Sequence, residues 1–116
     1  MRIGGESGGD RALDDPFISV YTLIKSFEWD DGKAKRNALK HGIDFEAAAF
    51  TFDDPNALIL EDARHSGQEP RHRLLGDSGA GVLVVVFTVR GVSLRIISAR
   101  RANRRERRFY GQSKGV

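Results

Sequence analysis

The chain contains no cysteine in 116 residues, only three histidines, and no apolar run longer than Val82 to Phe87. Without cysteine there is no disulfide, thiolate metal site or cysteine nucleophile, which fits a reducing cytoplasm. His41, His65 and His72 are too few and too scattered for a His-rich zinc cluster, so neither a metal nor another cofactor is expected. The longest apolar stretch is far too short to span a bilayer. The amino terminus is acidic and Gly-rich, which does not read as a signal peptide. No phosphate-cradling Gly-x-x-x-x-Gly-Lys loop and no Gly-x-Ser-x-Gly elbow is present.

What the chain has in abundance is arginine near its end. Six of the nine residues from Arg100 to Arg108 are arginine, and residues 90–116 carry nine Lys/Arg against one acid. Residues 1–89 carry ten against fifteen, so the overall +3 conceals a strongly basic end on an acidic body. Arginine is the side chain suited to planar, multi-donor contact with phosphate. A block this dense points to RNA, DNA or an acidic protein partner.

The length allows one small domain with a modest core. Residues 1–20 read as a flexible extension, 21–112 as the domain and 113–116 as a tail. A strand is expected over Tyr21 to Phe27, then a helix over Lys33 to His41 stopped by Gly42. Ala34, Ala38 and His41 fall on one face of that helix, and Lys33, Asn37 and Lys40 on another. Asp44 caps a second helix, and Asp53-Asp54-Pro55-Asn56 is a turn. Strands follow at Ala57–Leu60, Arg71–Leu75, Val82–Thr88 and Val92–Ala99, with Val82–Thr88 apolar enough to be covered on both faces. In the last strand Arg95 and Ile97 face away from Leu94 and Ile96. The order predicts a small α+β domain. Its two N-terminal helices and a C-terminal helix pack on a mainly antiparallel sheet.

On a helical wheel Arg101, Arg104, Arg105 and Arg108 share one arc, while Ala102, Glu106, Phe109 and Tyr110 lie on the other side and pin the helix to the sheet. The arc is either a solvated face or a grip on nucleic acid. Arg95 interrupts an apolar strand. If the last three strands form a meander, Arg73 and Arg95 share a sheet face with Arg100 at its rim, a floor able to hold a phosphate. Otherwise Arg95 is an edge arginine paired to Asp62 or Glu69. RNA cleavage by 2′-hydroxyl attack needs a base, an acid and cations, and His65, Glu69 and Arg73 can supply all three. Glu106 is as readily a salt-bridge partner as a base. Trp29 either stacks a nucleobase or is buried against the helix. A basic module that binds nucleic acid without cleaving it is the alternative.

Three stretches together carry a resemblance: Phe27-Glu28-Trp29-Asp30 with Lys33…Asn37…Lys40-His41-Gly42-Ile43-Asp44-Phe45; Arg64-His65…Glu69…Arg71; and Arg95-Ile96-Ile97-Ser98-Ala99-Arg100-Arg101-Ala102…Arg105-Glu106-Arg107…Tyr110. Over about residues 25–112 the chain resembles the BrnT family of toxins from type II toxin–antitoxin pairs. The resemblance implies a fold akin to the RelE-type ribonuclease toxins, and metal-independent RNA cleavage that arrests translation. It also implies neutralisation by a BrnA-like antitoxin with a ribbon-helix-helix domain, through which alone the toxin would meet DNA; no membrane is involved. By matched motif it brings forward the cations Lys33, Lys40, Arg64, Arg95 and Arg100, with Glu106 and Tyr110. The first 20 or so residues have no counterpart in the family pattern.

Overall fold

The computed structural model describes residues 26–61 and 70–114. The first described element is a short strand, β1 (Ser26–Glu28), followed by helices α1 (Asp31–His41) and α2 (Phe45–Phe50), the latter running into a single 3₁₀ turn at Thr51–Asp53. Strands β2 (Leu58–Glu61), β3 (His72–Asp77), β4 (Val82–Arg90) and β5 (Ser93–Arg101) precede the final helix α3 (Arg104–Lys114). Most of the expected Tyr21–Phe27 strand, the 1–20 extension and residues 62–69 lie outside the described residues. Among the described residues no helix is long and apolar enough to cross a membrane.

Local chemistry sets the helix boundaries. The Asp30 side chain accepts a hydrogen bond from the Lys33 amide at 2.9 Å, so α1 starts two residues before its apolar spacing suggests. It ends where Gly42 takes φ +71° and donates its N–H to the Ala38 carbonyl, the expected left-handed stop. Asp44 caps α2 by accepting from the Ala47 amide at 2.8 Å. The terminal helix begins later than its arginine periodicity implies. Asn103 and Glu106 form a reciprocal capping box: the Glu106 amide donates to Asn103 Oδ1 and the Asn103 amide to Glu106 Oε1, both at 2.8 Å. Arg101 is therefore not on the helix; it closes β5 opposite Leu83.

The five strands are ordered β1-β5-β4-β3-β2. The pairs β2–β3, β3–β4 and β4–β5 are antiparallel, and β1 lies parallel to β5, so the sheet is mainly antiparallel, as expected, with one parallel edge pair. Each face has its own core. Leu74, Leu83, Val85, Phe87, Leu94, Ile96 and Ala99 meet Phe45 and Ala48 of α2 and Ile43, with Trp29 and Ala34 at the margin. On the other face Leu75 and Val84 meet Ala102 and Tyr110 at α3. The continuous apolar run of β4 is thereby covered on both sides, as its sequence requires. Burying the Leu, Ile, Val and Phe side chains among these contributes roughly 1.5–3 kcal/mol each before the entropy of ordering is subtracted. Trp29 lies edge-on to Phe45 at 5.9 Å between ring centres, so it belongs to the core.

Two face assignments change. Asn37, expected beside Lys33 and Lys40, is buried, whereas Ala38 is exposed. The inward stripe of α1 is thus Ala34, Asn37 and His41, a polar residue having displaced a small apolar one because its amide has partners inside. Phe109, expected to pin α3, is 47 % exposed. Its neighbour Tyr110, one residue and about 100° further round the helix, fills that place.

Candidate RNA-cleaving face

The side of the sheet that α3 covers only in part carries the arginines. In the strand register Arg95 pairs with Thr88, Arg100 with Val84 and Arg73 with Val86. Thr88, Val86 and Val84 alternate along β4 and so point the same way. Arg95 and Arg100 are five residues apart, an odd separation that would put them on opposite faces of a regular strand. They share a face because β5 bulges: Phe87 pairs with Ile96 and Val86 with Ser98, leaving Ile97 without a partner. The expectation that Ile97 simply faces with Arg95 gives way to this bulge, and the joint placement of Arg73, Arg95 and Arg100 depends on it.

Each arginine has a distinct setting. Arg95 donates Nη1 to Glu28 Oε1 at 2.8 Å, its neighbour across the parallel β1–β5 pairing. Sequence reasoning missed Glu28, for which period-two alternation in Phe27-Glu28-Trp29 was the signal available; the expected partners Asp62 and Glu69 lie outside the described residues. Arg100 grips Glu106 with both terminal nitrogens, at 2.8 and 2.9 Å. That bidentate bond, chiefly, holds the Glu106 carboxyl down to about 2 against burial, helped by the Asn103 amide and by the charge of Arg73. Arg100 is raised above its ordinary value by the same bond, desolvation opposing. Arg73 differs: its Nε is buried and, among the described residues, has no hydrogen-bond partner. A buried guanidinium N–H left unpaired costs on the order of 1–3 kcal/mol, a debt an anion at this face would remove.

Tyr110, carried forward by its motif, is buried and donates its hydroxyl to Asp54 Oδ2. Burial first, then that carboxylate, raises its pKa above the usual phenol range. The same Asp54 oxygen accepts from the Asp77 amide at 2.8 Å, so Tyr110 joins α3 to β3 and the turn before β2. Another residue whose part spacing did not reveal is Asn37. Its Nδ2 donates to the carbonyls of Ala99 (2.8 Å) and Ile43 (3.0 Å), and its Oδ1 accepts from the Ala99 amide at 3.1 Å. An asparagine inside a helix of better helix formers was the clue. Lys33, Lys40, Arg101, Arg104, Arg105 and Arg108 are exposed. His65, Glu69 and Arg64 lie outside the described residues.

A small α+β domain with a ladder of arginines on one sheet face and an arginine helix beside it has the charge and shape of a protein that receives a polyanion. The family model that matches residues 29–106 is that of the ribonuclease toxin BrnT of type II toxin–antitoxin systems. The match spans more than half of the sequence, and the chain belongs to the BrnT family. Membership makes it a ribonuclease toxin with an antitoxin for its partner. No curated protein matches the chain significantly.

Proposed function

We propose that this toxin cleaves RNA by 2′-hydroxyl attack without a metal, with the scissile phosphate seated on the sheet face formed by Arg73, Arg95 and Arg100. The observation that carries the reading is Arg73: a buried Nε with no partner among the described residues, on the face that the bulge also gives to Arg95 and Arg100. In this reading the 2′-oxygen attacks phosphorus as a base accepts its proton. A 2′,3′-cyclic phosphate forms, and the 5′-oxygen leaves after an acid protonates it. His65 or Glu69 handles the proton from the 2′-hydroxyl. Arginines stabilise the charge that grows on the phosphoryl oxygens. Glu106 holds Arg100 in place, and Tyr110 fixes the helix that carries Glu106. Lys33, Lys40, Arg64, Arg101, Arg104, Arg105 and Arg108 guide the strand in. The fold is read as RelE-like, and the neutralising partner as a BrnA-like ribbon-helix-helix protein that contacts DNA on behalf of the complex.

The test incubates purified, antitoxin-free toxin with a defined RNA in excess EDTA, beside folded Arg73→Ala and Arg95→Ala variants. Cleavage with cyclic-phosphate ends by the parent is expected, with rates lowered on the order of 10²-fold or more in each variant. Full activity in both variants overturns the arginine floor. Loss of parental cleavage in EDTA, restored by Mg²⁺, overturns metal independence. Salt-sensitive binding without cleavage, on naked RNA and on translating ribosomes alike, leaves only a binding module.

A further inference from the structure

Beyond the arginine floor, α3 and the outer strands enclose a second concavity. A groove of about 390 Å³ runs between the helix and the sheet, lined by Leu60, Leu75, Arg105, Glu106, Arg108, Phe109 and Gln112; the Glu106 carboxylate is already engaged by Arg100. Its helical wall is the stripe Arg105, Phe109, Gln112, spaced i, i+4, i+7, with Arg108 adjoining. This arrangement explains the exposed Phe109: the ring is turned from the α3 core toward the groove, where Leu60 and Leu75 face it. Arg105 and Arg108 are exposed and, among the described residues, make no ion pair. An apolar floor beside two cations, with the one lining acid tied to Arg100, fits a protein segment presenting an apolar anchor among carboxylates. It fits a nucleic acid less well, because the floor offers aliphatic side chains and one phenyl ring. Leu60 pairs directly with Arg73 in the strand register, so the groove adjoins the face assigned to the phosphate.

We infer that this groove is where the antitoxin docks, through an acidic segment whose apolar side chain packs against Phe109, Leu60 and Leu75. The inference takes the existence of an antitoxin from the family, and its inhibitory consequence rests on the arginine-floor reading. A chain seated in the groove reaches toward Arg73 and excludes RNA by occupancy.

The experiment titrates full-length toxin with its own antitoxin, recovered from the co-expressed complex, and measures affinity without RNA, so a failure of the cleavage reading leaves this one testable. Phe109→Glu should weaken antitoxin binding by about thirtyfold or more. Gln112 is exposed, so substitutions there spare the fold. Gln112→Glu should lower affinity and Gln112→Lys raise it, each by about threefold at low salt and less at high salt. A folded Phe109→Glu toxin should keep its ribonuclease rate and escape neutralisation. Unchanged antitoxin affinity in Phe109→Glu, or shifts at Gln112 that are absent or of the same sign, overturn the proposal. So does a result in which the substitutions alter RNA affinity or self-association while antitoxin binding stays constant, since the groove then serves those partners instead.

Discussion

Glu106 combines two tasks that usually fall to separate residues. It closes the capping box with Asn103 that starts α3, and its two oxygens receive Arg100. The ion pair needs the ionised carboxylate and the cap favours it, which is why its pKa falls from 4.5 to about 2 on folding. The direction fixes the pH dependence. A group whose pKa is lower in the folded than in the unfolded chain stabilises fully above the unfolded value, and loses that contribution as pH falls toward the folded one. The stability gap between the parent and Glu106→Gln should therefore be constant above about pH 5.5 and narrow steadily from about pH 4.5 toward pH 2. Urea denaturation of both proteins across that range measures it. A gap that does not narrow would mean that Glu106 contributes through shape rather than charge. Glu28 plays the simpler part, restraining Arg95 from the next strand while both side chains keep contact with water, so little stability is expected from that pair alone.

At the scale of elements the junction of α1 with β5 decides the geometry. Strand β1 ends at Glu28 opposite Arg95, and among the described residues no strand continues along the edge of β5 beyond it. At Ala99 the Asn37 side chain supplies what a strand would, one acceptor for the amide and one donor for the carbonyl. Ala99 immediately precedes Arg100, so the helix sets the register of an arginine on the opposite face. Replacing Asn37 by Ala leaves buried backbone groups of Ala99 and Ile43 unpaired and should cost on the order of 3 kcal/mol. Hydrogen exchange at the Ala99 amide should accelerate more than at Val85, its neighbour across the sheet; uniform acceleration would show only global destabilisation. The same junction marks how far sequence reasoning reaches. Caps and breakers such as Asp44 and Gly42 act over a few residues, and β4 announces its two-sided burial by composition, so these elements were legible. So were the facing of Arg73 away from Leu74 and the basic character of the chain end. The inward turn of Asn37 and the Glu28–Arg95 pair depend on partners more than 60 residues away in sequence, which no local pattern encodes, and the bulge at Ile97 is set by the pairing with β4 rather than by the alternation within β5. Arg101 was misplaced for a different reason: helical spacing among arginines outweighed the Asn103…Glu106 cap that the sequence also contains.

For the whole molecule the consequence is a segregated charge. The last 27 residues carry nearly all the unbalanced positive charge, on β5 and α3, while the acids belong to the body of the chain. A polyanion is thus drawn to one side, where the arginine face and the arginine helix lie together. Affinity from such a surface comes largely from counterions released by the RNA, so log Kd should rise linearly with log salt. For single-stranded RNA each neutralised phosphate contributes about 0.7 to that slope. With 2′-O-methyl RNA, which binds but has no nucleophile, Arg73→Gln should reduce the slope by about that amount. Lys35→Gln, an exposed cation on α1, serves as the control and should leave it unchanged. The comparison separates site from field. If Arg73 contacts a phosphate, the slope itself falls. If it merely adds to the general potential, both substitutions lower affinity by similar factors at low salt and leave the slopes alike, and the phosphate must then sit elsewhere on the arginine-rich side.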